Sequence, residues 1–268
     1  MEEVTITKNN PLIDDMFKAG AHFGYSKSKR HPSMARYIFG VKNKVEIFDL
    51  EKTSDLLLST LEYMKVCGKN RKTILFVGGK NEARDVIRNA ATEISMPYVA
   101  GRWIGGTLTN FSEIKKRLAR LQDLTEQRQK GDLDKYTKLE RLMIDREIED
   151  LEKTFGGIRH MKSLPHVLFI VDTKYESIAV KEAKMVGIPV VGLLNSDCNT
   201  IDADYFVAGN DVAQASIFFF VGELVKAYKE GLSQAPEDQQ NQSKADEPQS
   251  KKKKPKKRAQ VNKSYGYN

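Results

Sequence analysis

Hydrophobic residues recur along most of the chain in two alternating rhythms, short apolar runs and stretches of helical spacing. Leu57, Leu58, Leu61 and Met64 repeat at three and four residues, which predicts a helix over Ser54–Val66. Thr73–Val77 is a short apolar run ending in Gly78 and Gly79, the mark of a buried strand. Glu82–Ile94 returns to helical spacing and Met96–Ala100 to a strand. Val167–Val171 and Ile188–Leu194 are two more apolar runs, separated by a helix over Glu176–Val186. Tyr205–Ala208 is a last strand before a long helix, Val212–Tyr228. Such alternation calls for a mostly parallel sheet covered on both faces and wound by right-handed crossovers, an α/β three-layer sandwich.

Three segments depart from this rhythm. Residues 1–15 read as a lead-in, with Pro11 and Asp14 near a helix start. Met16–Val45 is broken by Gly20, Gly24, Pro32 and Gly40 into an ordered loop, with a short hairpin near Tyr37–Leu50. Phe111–Thr154 has no proline, is rich in Lys, Glu, Arg and Leu, and turns at Gly131-Asp132. It predicts a helical hairpin, with Asn110 and Glu113 as a capping box and Ile114, Leu118 and Leu121 facing Leu139, Leu142, Ile148 and Leu151. Pairing of two copies through this hairpin is an alternative use of it. The organisation expected is an α/β domain of residues 16–110 and 155–231 interrupted by the hairpin of 111–154. Residues 232–268 have too few apolar groups to offset the entropy of ordering and form an expected disordered basic tail.

Charge sharpens the picture. The chain of 268 residues carries a net +8, with 17 basic and 12 acidic residues over 1–110 but 11 of each over 111–154. Met16–Val45 contains no Asp or Glu, yet holds Lys18, Lys27, Lys29, Arg30, Arg36, Lys42 and Lys44 among five Phe and Tyr residues. Cations left without local carboxylates, with aromatic rings between them, are what phosphates and unpaired bases require. Arg102 and Trp103 enter the turn Gly105-Gly106-Thr107, whose N–H groups can either approach a phosphate or simply pivot the chain. Lys115, Lys116, Arg117 and Arg120 follow at a helix start, where the dipole disfavours cations unless a polyanion answers them. In the tail, Lys251–Lys254, Lys256, Lys257 and Arg258 form a basic block that can follow a nucleic-acid backbone or be solvated.

Signs of catalysis are weak. Gly78-Gly79-Lys80 lies between strand and helix, but Asn81 stands where a phosphate loop needs Ser or Thr. A rival reading, an α/β enzyme acting on a phosphorylated small molecule, would rest on that turn and on Asp172. Asp197, Asp202, Asp204 and Asp211 can hold a cation or merely form turns and caps. His22, His31, His160 and His166 match no metal or triad spacing, and Cys67 and Cys198 are expected as reduced thiols. No catalytic residue, cofactor or metal is assigned. No apolar run is long enough for a membrane span, and the absence of a secretory or transit pattern favours a cytoplasmic address.

Several strings resemble one family closely. Arg102-Trp-Ile-Gly-Gly-Thr-Leu-Thr-Asn-Phe111, Ala21-His-Phe-Gly24, Tyr37-Ile-Phe-Gly40, Gly187-Ile-Pro-Val-Val191 and Gly209-Asn-Asp211 resemble motifs of the universal small-subunit ribosomal protein S-two family, in order, over about residues 10–230. The resemblance implies a flavodoxin-like α/β domain with an inserted helical coiled-coil hairpin. It further implies a non-enzymatic, structural role on small-subunit (16S-type) rRNA, among neighbouring small-subunit proteins, with docking of the mRNA-binding ribosomal protein S-one in bacterial members. Tyr25, Ser33 and His166 differ from the common residues, and Asn195-Ser-Asp-Cys-Asn-Thr200 exchanges carboxylates and amides with the usual pattern. The expected RNA contacts are Lys18, Lys27, Lys29, Arg30, Arg36, Arg102, Lys115, Lys116 and Arg117. His22, His31, Tyr25 and Trp103 are expected to add hydrogen bonds or stacking.

Overall fold

The computed structural model describes residues 11–235. Its main sheet has five parallel strands: β4 (Ile74–Val77), β5 (Tyr98–Val99), β6 (Val167–Val171), β7 (Val190–Leu194) and β8 (Tyr205–Ala208). Their spatial order is β5-β4-β6-β7-β8 with every pair parallel. That is the flavodoxin-like winding, in which the chain leaves the first strand in one direction and returns on its other side. The strands are continuously apolar because both faces are covered. Ile74, Phe76, Phe169, Val191 and Leu193 face α2 (Leu50–Lys69), α3 (Asn81–Glu93) and α7 (Gln214–Ser233). Leu75, Val77, Leu168, Ile170 and Val190 face α6 (Ser177–Val186) and the segment around Trp103.

A second, antiparallel sheet orders as β1-β3-β2, from β1 (Phe23–Ser26), β2 (Ile38–Lys42) and β3 (Val45–Phe48), preceded by α1 (Pro11–Lys18). The expected hairpin near Tyr37–Leu50 is present as β2–β3. The third strand, β1, was not foreseen, because Phe-Gly-Tyr-Ser offers no alternation to read. Phe48 and Met34 anchor this sheet in the core beside α6.

Two helices, α4 (Phe111–Lys130) and α5 (Lys138–Phe155), lie between β5 and β6 in the chain. They pack antiparallel through Leu121, Leu124 and Ile148. Leu139 and Leu142, expected in that seam, are exposed instead. Ile144, Ile148 and Leu151 share one face at spacings of four and three, and positions 139 and 142 fall on the other. The expected capping box at Asn110 is also absent. Glu113 pairs with Lys116 at 2.6 Å, and Asn110 accepts from the Ser112 hydroxyl. A reciprocal box opens α5 instead, between Thr137 and Glu140.

Boundaries moved elsewhere too. α1 begins at Pro11, at the helix start expected there, but runs across the expected end of the lead-in at 15. β5 keeps only two residues of Met96–Ala100, since Pro97 has no N–H to donate. α7 runs to Ser233, past the expected start of the tail at 232, because it crosses α2 at very close range. A Cβ on Gly231 would lie 2.1 Å from the Lys65 carbonyl oxygen, and one on Gly68 2.2 Å from that of Tyr228. The basic block of 251–258 lies outside the described residues.

That crossing yields a paired prediction. Gly231→Ala forces two backbones apart and should cost about 1–3 kcal/mol or more. Gly222→Ala in the same helix meets nothing within 4 Å and should stabilise by about 0.5–1 kcal/mol. Urea midpoints of the two variants, moving in opposite directions, are the check.

Candidate nucleic-acid interface

In open α/β sheets of this winding, ligands sit at the carboxyl ends of the strands, where the strand order reverses. Here that crevice, between β4 and β6, is filled by the protein itself. The Lys80 ammonium lies 2.5 Å from Asp172 and 2.7 Å from Asp211, and donates to the Tyr25 hydroxyl at 3.3 Å. Burial works against the charged lysine, but the two carboxylates outweigh it and hold its pKa far above the ordinary value. Asp211, fully buried and near Asp172, is pushed up to about 6 despite Lys80. Asp172 is also penalised by burial, yet Lys80 and local N–H donors hold its carboxyl below the usual range. Asn195 donates to Asp211 at 2.6 Å. An amide there spares the cluster a third carboxylate.

The Gly79 N–H, which a phosphate loop would offer to its ligand, donates to the Glu176 carboxylate at 2.8 Å. A Cβ on Gly79 would stand 2.3 Å from that oxygen, which is why glycine occupies the position. Gly78-Gly79-Lys80 therefore closes on internal carboxylates. The aspartates that were candidate cation ligands are dispersed: Asp197 pairs with Lys174, Asp202 with Lys184, and Asp204 accepts from the Val190 N–H. Among the described residues, no group of three His, Cys, Asp or Glu side chains converges as a metal would require.

The turn after Trp103 is occupied in the same way. Glu182 of α6 accepts from the N–H groups of Gly106 at 2.7 Å, Leu108 at 3.0 Å and Thr109 at 3.3 Å, and from the Trp103 indole at 3.2 Å. Trp103 is 5% exposed, so its ring is a core element and offers no face to a base. The N–H groups of Gly106, Thr107, Leu108 and Thr109 are likewise spent within the fold. His31 caps the 3-10 turn Pro32–Tyr37, accepting from the Ser33 N–H at 3.3 Å. His22 is half-buried and stacks on Phe17 at 4.5 Å, and burial lowers its pKa.

The expected cations divide into two groups. Arg30 meets Glu46 at 3.2 Å, Lys18 meets Asp15 at 3.4 Å, and Lys116 meets Glu113. Met16–Val45 is thus not wholly unanswered: Glu46, just beyond it on β3, is fully buried and faces Arg30. Lys27, Lys29, Arg36, Lys42 and Lys44 are exposed with no carboxylate partner among the described residues. So are Arg102, Lys115 and Arg117. Lys29 lies over the Tyr25 ring, Arg36 over Tyr37 and Lys115 over Phe111, at 4.8–5.2 Å. The antiparallel sheet and α1 also expose apolar groups, among them phenylalanines whose place among the cations suggests stacking on bases. Phe39, at a β-bulge of β2, is 81% exposed, with Phe17, Val41 and Phe23 also open to solvent.

Two of the buried glutamates, Glu176 and Glu182, should respond oppositely to pH. Burial pushes Glu176 up to about 7, so the folded state holds that proton more tightly than the unfolded one. Its favourable contribution is full below about 4.5 and is lost as pH rises through 7. Burial also raises Glu182, but its four N–H donors prevail and hold its pKa down, so its contribution is present above about 4.5 and is lost on acidification. Glu176→Gln should therefore stabilise the protein at pH 8 and lose that advantage near pH 4.5. Glu182→Gln should destabilise by roughly 2–4 kcal/mol at pH 8, less at lower pH. Urea melts at pH 4, 6 and 8 read both; a common sign would contradict the assignment.

Residues 16–231 match the family model described as Ribosomal protein S2. A protein of Helicobacter hepaticus named small ribosomal subunit protein uS2 is 41% identical over 230 residues, covering 86% of this chain and 87% of the relative. Proteins of the same name from Wolinella succinogenes (42% identity, 83% of this chain and 82% of the relative) and Sulfurimonas denitrificans (43%, 82% and 85%) are similar over nearly the same span. Sheet winding, motif order and sequence similarity converge, and the chain belongs to the ribosomal protein S2 family.

Proposed function

We propose that the unanswered cations of the antiparallel sheet and its turns, Lys27, Lys29, Arg36, Lys42 and Lys44, bind phosphates of small-subunit rRNA, together with Arg102, Lys115 and Arg117 beside α4. As a member of its family the chain is a structural constituent of the small ribosomal subunit of the cytoplasmic ribosome, not an enzyme. Its partners are rRNA and other subunit proteins. The observation that carries the proposal is a contrast in pairing. Interior charges (Lys80, Asp172, Asp211, Glu182) are satisfied within the fold, whereas these surface cations face solvent without carboxylates. Phosphates position such a protein without reading sequence.

A second contact is favoured by the exposed Phe17, Phe23, Phe39 and Val41. A bulged, solvent-facing phenylalanine stabilises nothing in the isolated chain and suits an apolar protein partner. We assign this ledge to docking of a neighbouring subunit protein, with ribosomal protein S-one as the candidate that the family resemblance supplies.

Two measurements separate these surfaces. Arg36→Ala should weaken rRNA binding without regard to base sequence and reduce the slope of log affinity against log salt by about one; an unchanged slope removes Arg36 from the interface. Phe39→Ala should leave that slope intact while lowering capture of purified ribosomal protein S-one at least tenfold. Equal capture by both forms would reject the ledge.

A further inference from the structure

A cationic cleft beside α3 shares Arg102 with the surface proposed above, and sequence reading reached only that one of its members. A cleft of about 700 Å³ opens between α3, the segment after β5 and the end of α5. Arg84 and Arg88 line it from α3, Arg102 from the segment after β5, and Lys153 from α5. We infer that this cleft is an additional binding site for an RNA phosphodiester strand, an inference that rests on the rRNA-binding reading above.

Charge balance is the first argument. Two carboxylates, Asp150 and Glu152, also line the cleft, and neither pairs with a cation among the described residues, so the four basic groups leave it net positive. Arg88 has only an exposed contact with Asp85 at 3.5 Å, too weak and too solvated to neutralise it. Arg102 and Lys153 have no such partner among the described residues.

Geometry is the second. Arg84 is half-buried, and its Nε–H donates to the Gly79 carbonyl at 3.1 Å, which fixes the guanidinium before any ligand arrives. That carbonyl belongs to the residue whose N–H is held by Glu176, so the cleft is built on the closed turn of β4. Arg84 and Arg88 stand one helical turn apart, about 6 Å along α3, so they can meet successive phosphates of one strand and not only a single anion. The third argument is access. A Cβ on Gly101 would meet nothing within 4 Å, so the cleft has bare backbone there. Tyr98, also lining it, packs against Gly157, where a Cβ would approach the ring to 2.7 Å. That half-buried ring also packs on the core of the sheet, so it serves as a fixed wall of the cleft.

The test uses the full chain and a small-subunit rRNA transcript, with Arg88→Gln and Lys153→Gln made singly and together. Both residues are exposed, and thermal melts confirm that the variants fold. Each single change should lower the salt slope by about 0.7–0.9 and the double change by about twice that. An unchanged slope in the double variant, while Arg36→Ala still lowers it, overturns the cleft and leaves the first surface standing. Loss of salt-dependent rRNA binding by the unmodified chain would overturn both. A photo-crosslinker at position 153 supplies the second readout: adducts to rRNA in assembled subunits support the site, and adducts only to a protein overturn it.

Discussion

Buried charge must be answered locally, and in this protein that requirement determines which surface remains for a partner. An ammonium or carboxylate withdrawn from water is costly unless it is paired and hydrogen-bonded. Lys80 between Asp172 and Asp211 meets the requirement, and in doing so joins the carboxyl ends of β4, β6 and β8. Through Tyr25 the same ammonium reaches the antiparallel sheet. The crevice where this fold ordinarily receives small ligands is therefore structural. Glu176 and Glu182 extend the theme, each taking up N–H groups that would otherwise be available to an anion from outside.

The consequence is a division of labour between interior and surface. Motifs that look like chemistry on paper, a glycine-rich turn before a helix or an aspartate at a strand end, are consumed in holding loops together. The proposed RNA contacts lie outward, on cations whose neighbours do not neutralise them. Such groups neutralise no carboxylate of the fold and suit the dense negative charge of RNA, which gives up counterions as they bind. The exposed phenylalanines between them suit a protein neighbour, so one face can meet both components of a ribonucleoprotein.

Much of this was legible in the sequence. Continuous apolar runs such as Val167–Val171 fixed the buried parallel strands, and helical spacing placed α2, α3 and α6 to within a few residues. Family motifs specified the winding. What escaped was nonlocal. Nothing near Trp103 announces that Glu182, seventy-nine residues later, will fill its turn. Nothing near Arg30 announces that a buried glutamate on β3 will face it. Composition within a window finds missing carboxylates, but only the fold says which distant ones arrive. The cleft at Arg84 and Arg88 escaped for the same reason, since its cations come from three separated segments.

The central claim is that Lys27, Lys29, Arg36, Lys42 and Lys44 lie against RNA. Ultraviolet crosslinking of assembled small subunits, followed by mass spectrometric mapping of nucleotide adducts on this chain, tests it most directly. The account predicts adducts within residues 27–44. Abundant adducts elsewhere on the chain, with none in that segment, would contradict it.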